Sequence, residues 1–218
     1  MTTLITDISN ISDEHEKTMS AALPVYAKKR RPESLVAAYL LYCLILCRQT
    51  NGGLVWADID KLVPKADMVS DLAKKVGWPT GQHGKPFPKG INIGGIVLHA
   101  GISHSKGLVC ATISRSPIGI DLQVIPKMPP IRMLRIAKRF HPDEYSRLST
   151  IDKSRLAGTF TRLWACKESA LKLDGTGLST PLSSFCVEPD GTCVINGRPA
   201  IIYVKNLHRA YLSFAQWL

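Results

Sequence analysis

With 218 residues, 45% of them hydrophobic, the chain reads as soluble and globular and can bury a core as one large domain or two small ones. Its 28 Lys and Arg against 17 Asp and Glu leave a formal charge of +11, so anionic partners are expected. The start Met1-Thr2-Thr3-Leu4-Ile5-Thr6-Asp7 lacks the basic and apolar regions of a signal peptide, and the six cysteines show no zinc-knuckle spacing. The expectation is a cytoplasmic protein with reduced thiols and no membrane partner.

Thr2 to Ile8 alternates as a first strand, and Ser12-Asp13-Glu14-His15-Glu16 has the acidic first turn of a helix that ends before Pro24. Lys28-Lys29-Arg30-Arg31 stands directly ahead of Pro32-Glu33-Ser34, the start of the next helix. Basic side chains there form either an anion site or a solvated loop. Residues 34 to 47 are apolar on nearly every face yet too short for a bilayer, which needs about twenty residues, so they predict a buried helix. Residues 48 to 53 are a turn, and a further helix runs from Asp67 to Val76. In the loop 81 to 90, His83-Gly84-Lys85-Pro86 offers close backbone approach and a lysine to a ligand, or is simply a Gly/Pro turn. Strands broken at Gly94-Gly95 and Ser105-Lys106-Gly107 leave Ser103 and His104 at a strand end.

Ser116 to Val124 is a β-branched strand in which alternation sets Asp121 and Gln123 on one face, opposite Ile120 and Leu122. The two halves of the chain join near Pro117. Residues 131 to 140 predict a helix carrying Arg132, Arg135, Lys138 and Arg139, a surface suited to an acidic partner, which His141 to Tyr145 ends with Glu144 in an acidic turn. Residues 160 to 173 are an amphipathic helix stopped by Asp174-Gly175, with Phe160, Leu163, Trp164, Ala170 and Leu171 on its apolar stripe. Glu168 and Lys172 lie one turn apart on the other flank, while Lys167 points into the stripe, where it must snorkel or meet an anion. Strands follow at 184–188, 193–195, 200–204 and 210–215, with hairpin signals at Pro189-Asp190-Gly191 and Asn196-Gly197.

A Glu-to-Lys pair at this spacing is by itself the commonest surface ion pair on helices. Joined by Asp121 it acquires a second meaning. Mg²⁺ takes oxygen ligands, usually one or two carboxylates plus substrate phosphates, and Asp121 with Glu168 is a sufficient protein contribution.

Gly119-Ile120-Asp121 and Trp164-Ala165-Cys166-Lys167-Glu168-Ser169-Ala170-Leu171-Lys172, preceded in order by Gly84-Lys85-Pro86 and Ser103-His104-Ser105, resemble the motifs of the 4′-phosphopantetheinyl transferase superfamily in its longer, surfactin-synthetase-activating branch. The resemblance covers residues 84 to 172. It implies an α+β fold of two similar α/β halves related by a pseudo-twofold axis, in a monomer. Residues 1–117 would form the N-terminal half, contacting coenzyme A phosphates, and residues 118–218 the C-terminal half, with the metal and the signature helix. The implied reaction is Mg²⁺-dependent transfer of the 4′-phosphopantetheine arm of coenzyme A to a serine of an acidic apo carrier protein of fatty-acid, polyketide or peptide synthesis, releasing adenosine 3′,5′-bisphosphate.

The same resemblance implies Asp121, Gln123 and Glu168 at the metal, Glu168 as base and Lys172 at the departing phosphate. Coenzyme A would meet Lys85, Pro86, Ser103, His104 and Lys172, with Lys28, Arg30 and Arg31 as the basic residues of the N-terminal half. Arg132, Arg135, Lys138 and Arg139 would dock the carrier. Two positions depart from the pattern: Gln123 replaces a carboxylate common among bacterial members, and Gly101 replaces an Asn. Two other readings stand beside this one. A basic nucleic-acid-binding module is motivated by the charge alone, makes no use of Asp121 or Glu168, and lacks an aromatic-rich basic strand, so no nucleic-acid partner is expected. A non-catalytic coenzyme A-binding relative is the other.

Overall fold

The computed structural model describes residues 1–218 except 28–31, 48–51, 80–85 and 88, and except the side chains of 10, 25 and 26. The described residues form two compact units, Met1–Pro117 and Ile118–Leu218. Each combines an antiparallel-rich sheet with helices, an α+β architecture.

The first unit opens with β1 (Thr2–Asp7). Ser12 then caps α1 (Asp13–Ala22) by accepting from the His15 N–H, and three acidic residues occupy the first turn as the helix dipole favours. A short α2 (Pro24–Ala27) precedes α3 (Pro32–Cys47), which is buried from Ser34 to Ile45. This helix is apolar all round because α1 covers one side while two later strands of the sheet and a later helix cover others. Its two tyrosines keep their hydroxyls satisfied: Tyr39 donates to the Leu62 carbonyl at 3.0 Å and Tyr42 to that of Gly77 at 2.7 Å.

β2 (Gly53–Trp56), α4 (Ile59–Leu62) and α5 (Ala66–Val76) follow. β2 was not expected from sequence. It is a four-residue edge strand, mostly exposed, whose parallel pairing with β1 carries no alternation to read. A meander of β3 (Ile91–Ile93), β4 (Ile96–Ser105) and β5 (Leu108–Ser114) completes the sheet in the order β2-β1-β5-β4-β3. Both β-turns have positive φ at two successive residues, Gly94-Gly95 and Lys106-Gly107, the geometry that matches strand twist.

The second unit holds β6 (Gly119–Val124), α6 (Pro130–Ala137), α7 (Pro142–Thr150), α8 (Lys153–Asp174), β7 (Thr192–Ile195), β8 (Arg198–Asn206) and β9 (Ala210–Trp217). The four strands are antiparallel in the order β6-β9-β8-β7. The C-terminal half of α8 packs on this sheet, Ala170, Leu171 and Leu173 meeting Ile195, Ile202 and Ala215. Its N-terminal half meets α6 and α7 through Phe160, beside Met133, Phe140 and Leu148.

Three sequence expectations change here. The helix predicted over 131–140 ends at Ala137, and the residues expected to stop it start α7 instead: His141 is the N-cap, Pro142 fills the first turn, and the Glu144 carboxylate accepts from the His141 N–H in a capping box. The signature helix begins at Lys153 rather than at 160. The strand expected over 184–188 does not form. Its backbone is committed elsewhere, since the Phe185 carbonyl accepts from Lys167 and the Val187 N–H donates to Glu144. All six cysteines are free thiols, and burial pushes Cys43 up to about 12 and Cys166 and Cys193 to about 11. No described helix is long and apolar enough to cross a membrane.

Candidate active site

Gly119 sets the geometry of the site. Alternation turns Gly119, Asp121 and Gln123 toward one face of β6. At Gly119 that face touches α8 with no room for a side chain: a Cβ would land on the Ser169 carbonyl oxygen and 2.5 Å from the Leu173 nitrogen. Next door, Ser213 of β9, paired in register with Asp121, shares a 2.7 Å hydrogen bond with Ser169 of α8. The strand and the helix are therefore pinned at one height.

One strand step further, Asp121 meets the polar flank of α8. Its side chain is 8% exposed, and its Oδ1 accepts from the Lys172 Nζ at 2.7 Å. Glu168 stands one turn before Lys172 and is half-buried. Burial pushes the Glu168 carboxyl up, the charge of Asp121 pushes it further, and Lys172 pulls it partly back. Two carboxylates and one lysine thus form a coupled group. Gln123 lies farther along the same face, half-buried.

This donor set fits a hard divalent cation. It consists of oxygen atoms, two of its members are carboxylates close enough that the charge of Asp121 adds to the cost of ionising Glu168, and Gln123 adds an amide oxygen. Burial lifts Glu168 most, and a cation held there would relieve the smaller part of the lift that comes from Asp121.

Because the Gly119 contact is backbone against backbone, neither side can yield locally. Gly119→Ala is expected to part β6 from α8, costing about 1–3 kcal/mol as overpacking does and separating Asp121 from Glu168. A lowered urea midpoint together with a lost Mg²⁺-dependent rise in melting temperature is the expected pair of readouts. A wild-type response to Mg²⁺ would show that the contact does not position the site.

Residues 117–214, which contain this whole group, match the family described as the 4′-phosphopantetheinyl transferase superfamily. The chain is 31% identical over 136 residues to the 4′-phosphopantetheinyl transferase gsp of Aneurinibacillus migulanus, covering 60% of this chain and 53% of that one. It is 47% identical over 90 residues to the 4′-phosphopantetheinyl transferase Sfp of Bacillus subtilis, covering 41% of this chain and 38% of that one. The chain thus spans about half or less of these curated relatives. A crystal structure of Thermotoga maritima holo-[acyl-carrier-protein] synthase (AcpS) aligns with a TM-score of 0.34 at 18% identity, over 46% of this chain and 62% of that one.

Within the matched segment, Lys167 has found its anion. It is wholly buried, and its Nζ donates to both oxygens of the equally buried Glu144, at 2.9 and 2.7 Å, and to the Phe185 carbonyl at 2.8 Å. Burial pulls the Lys167 ammonium below its ordinary range, while the charge and hydrogen bonds of Glu144 oppose that pull. Sequence reading placed Glu144 in an acidic turn and left open whether it has a role near the active centre. The signal that could have found it was its place three residues after the α7 N-cap, the Glu position of a capping box.

The remaining sequence-predicted residues are more scattered. Arg132, Arg135, Lys138 and Arg139 are all exposed on α6 and the turn after it, with Met133, Ala137 and Phe140 directed inward. In the first unit, Ser103 is buried and His104 half-buried on opposite faces of β4. His104 turns toward the N-terminal end of α3, where its Nε2 lies 3.2 Å from the Ser34 hydroxyl. Pro86 is buried. Lys28, Arg30, Arg31 and Lys85 lie outside the described residues.

Proposed function

We propose that the protein transfers the 4′-phosphopantetheine arm of coenzyme A to a serine hydroxyl of an apo carrier protein, as a monomeric cytoplasmic enzyme dependent on Mg²⁺. The observation that supports this most is the coupled group of Asp121, Glu168 and Lys172 inside the superfamily segment. Asp121 and Glu168 would hold the ion, with Gln123 contributing its amide oxygen. Bound there, Mg²⁺ supplies charge neutralisation for the oxygens of the pyrophosphate. Glu168 receives the serine proton, a task suited to a carboxylate whose basicity is raised by burial. Lys172, aligned by Asp121, offers its ammonium to the phosphate that departs as adenosine 3′,5′-bisphosphate. His104, beside the N-terminal end of α3, suits a phosphate of coenzyme A.

Intact mass spectrometry of apo carriers from fatty-acid, polyketide and peptide synthesis, incubated with the protein, coenzyme A and Mg²⁺, tests the proposal. The expected result is one added arm, lost when the acceptor serine is replaced by alanine. No added mass on any carrier, with coenzyme A still raising the melting temperature, would leave a coenzyme A-binding protein without transfer activity.

The exposed cations of α6 are assigned to the acidic carrier. Reversing Arg135 and Arg139 to Glu is expected to raise the KM for carrier about tenfold or more at low salt, to flatten the salt dependence of kcat/KM, and to leave the Kd for coenzyme A unchanged. Weaker coenzyme A binding with an unchanged carrier KM would move the helix to the cofactor site.

A further inference from the structure

We propose a second metal site in the C-terminal unit, built for a borderline divalent ion of the Zn²⁺ class by His141, Asp143 and Cys186. One ligand atom from each of these residues lies within 4.8 Å of the other two. The His141 Nδ1 and the Asp143 Oδ2 are 3.5 Å apart. Two ligands bound to one tetrahedral ion at about 2.0–2.2 Å are separated by about 3.4 Å, so this pair already spans a tetrahedral edge. The mixed nitrogen, oxygen and sulfur donors select against Mg²⁺, which wants an all-oxygen shell, and favour Zn²⁺ or Co²⁺.

The two segments that carry the ligands are fixed by one buried carboxylate. Glu144 accepts from the His141 N–H at 3.0 Å on one side and from the Val187 N–H at 2.7 Å on the other. Cys186 is further held between the Phe185 carbonyl, bound by Lys167, and the Val187 carbonyl, bound by the Arg147 Nη2 at 2.9 Å. The same guanidinium nitrogen is 3.4 Å from the Cys186 Sγ, and its charge offsets part of the burial and the Glu144 charge that push this thiol up to about 11. The ligands are thus preorganised, as a metal site requires. The His141 Nδ1 gives up little to bind an ion, because its contact with the Asp143 N–H is long, at 3.4 Å.

The three side chains supply three of four tetrahedral positions. His141 and Cys186 both line a cavity of about 590 Å³ that continues past Glu188, Thr192 and Asn196, so the fourth position opens on space large enough for water or a small ligand. The ion would join the start of α7 to the segment before β7. This site uses none of Asp121, Glu168 and Lys172, and its test is independent of transfer.

Titration of the full chain, stripped with chelator, with Co²⁺ in the presence of excess Mg²⁺ tests the site. The expected result is one Co²⁺ per chain with a sulfur-to-cobalt charge-transfer band in the near ultraviolet, displaced by Zn²⁺, and a melting temperature raised by Zn²⁺. Cys186→Ser should abolish the band, while Cys47→Ser, which removes the exposed thiol, should keep it. His141→Asn retains a capping side chain and should weaken Co²⁺ binding at least about tenfold, the scale on which even outer-shell partners act. No band in the wild-type protein, a band that survives Cys186→Ser or depends on Cys47, or unchanged affinity in His141→Asn would each overturn the proposal and leave a His–Asp contact at a helix N-terminus.

Discussion

Glu168→Gln and Asp121→Asn should each lower transfer to an apo carrier by at least about 10³-fold while the fold persists, because each removes an anionic ligand without changing side-chain size. Glu168→Gln should at the same time be the more stable protein when metal is chelated. Its carboxyl is raised by burial and by Asp121, so ionising it costs folded-state stability. For a carboxyl raised in the folded state, the favourable contribution is present below the unfolded pKa and is lost as pH rises through the folded one. In EDTA at pH 8, Glu168→Gln should therefore melt higher than wild type by on the order of 2 °C, with the gap closing toward about pH 4 as Glu168 takes up its proton. Mg²⁺ should close the same gap at pH 8 by stabilising wild type alone. Normal transfer by either variant would remove these residues from the metal site; a Glu168→Gln protein less stable than wild type in EDTA would show that the carboxylate is not repelled there.

The largest loss of stability is expected at the buried ion pair. Glu144→Gln leaves the Lys167 ammonium with no counter-charge in a site where both side chains are fully enclosed, and should cost about 3–5 kcal/mol in urea unfolding. It also weakens acceptors for the His141 and Val187 N–H groups, so the start of α7 and the segment before β7 should loosen together in hydrogen exchange. Replacing both members, Glu144→Gln with Lys167→Met, should cost less than the sum of the single changes by about 0.5–3 kcal/mol, since no uncompensated charge remains. Additive losses would show that the two side chains are held by their surroundings rather than by each other. The pair also fixes the rotation of α8: with Lys167 locked inward, the next residue, Glu168, is carried round toward Asp121.

Apolar spacing located α3, α5 and most of α8, and turn residues located the bends at Gly94-Gly95, Lys106-Gly107 and Asn196-Gly197, because each is written in contiguous sequence that local sterics and burial enforce. The same holds for the alternation that places Asp121 and Gln123 on one face of β6. Beyond that range the sequence is silent. Whether Pro142 ends one helix or starts the next depended on a carboxylate two residues on reaching back to the His141 N–H. Whether residues 184–188 join a sheet depended on a lysine and a glutamate, on α8 and α7, taking the backbone groups a ladder would have used. That Lys172 reaches Asp121, and that Gly119 rather than a larger residue stands where β6 crosses α8, are contacts across 51 and about 50 positions of chain. Residue types announced the chemistry, since carboxylates, an amide and a lysine are what a metal and a phosphate require. Their convergence came only with tertiary packing, because burial and the charges of distant neighbours, which no local pattern records, set both the pairing of each group and its proton affinity.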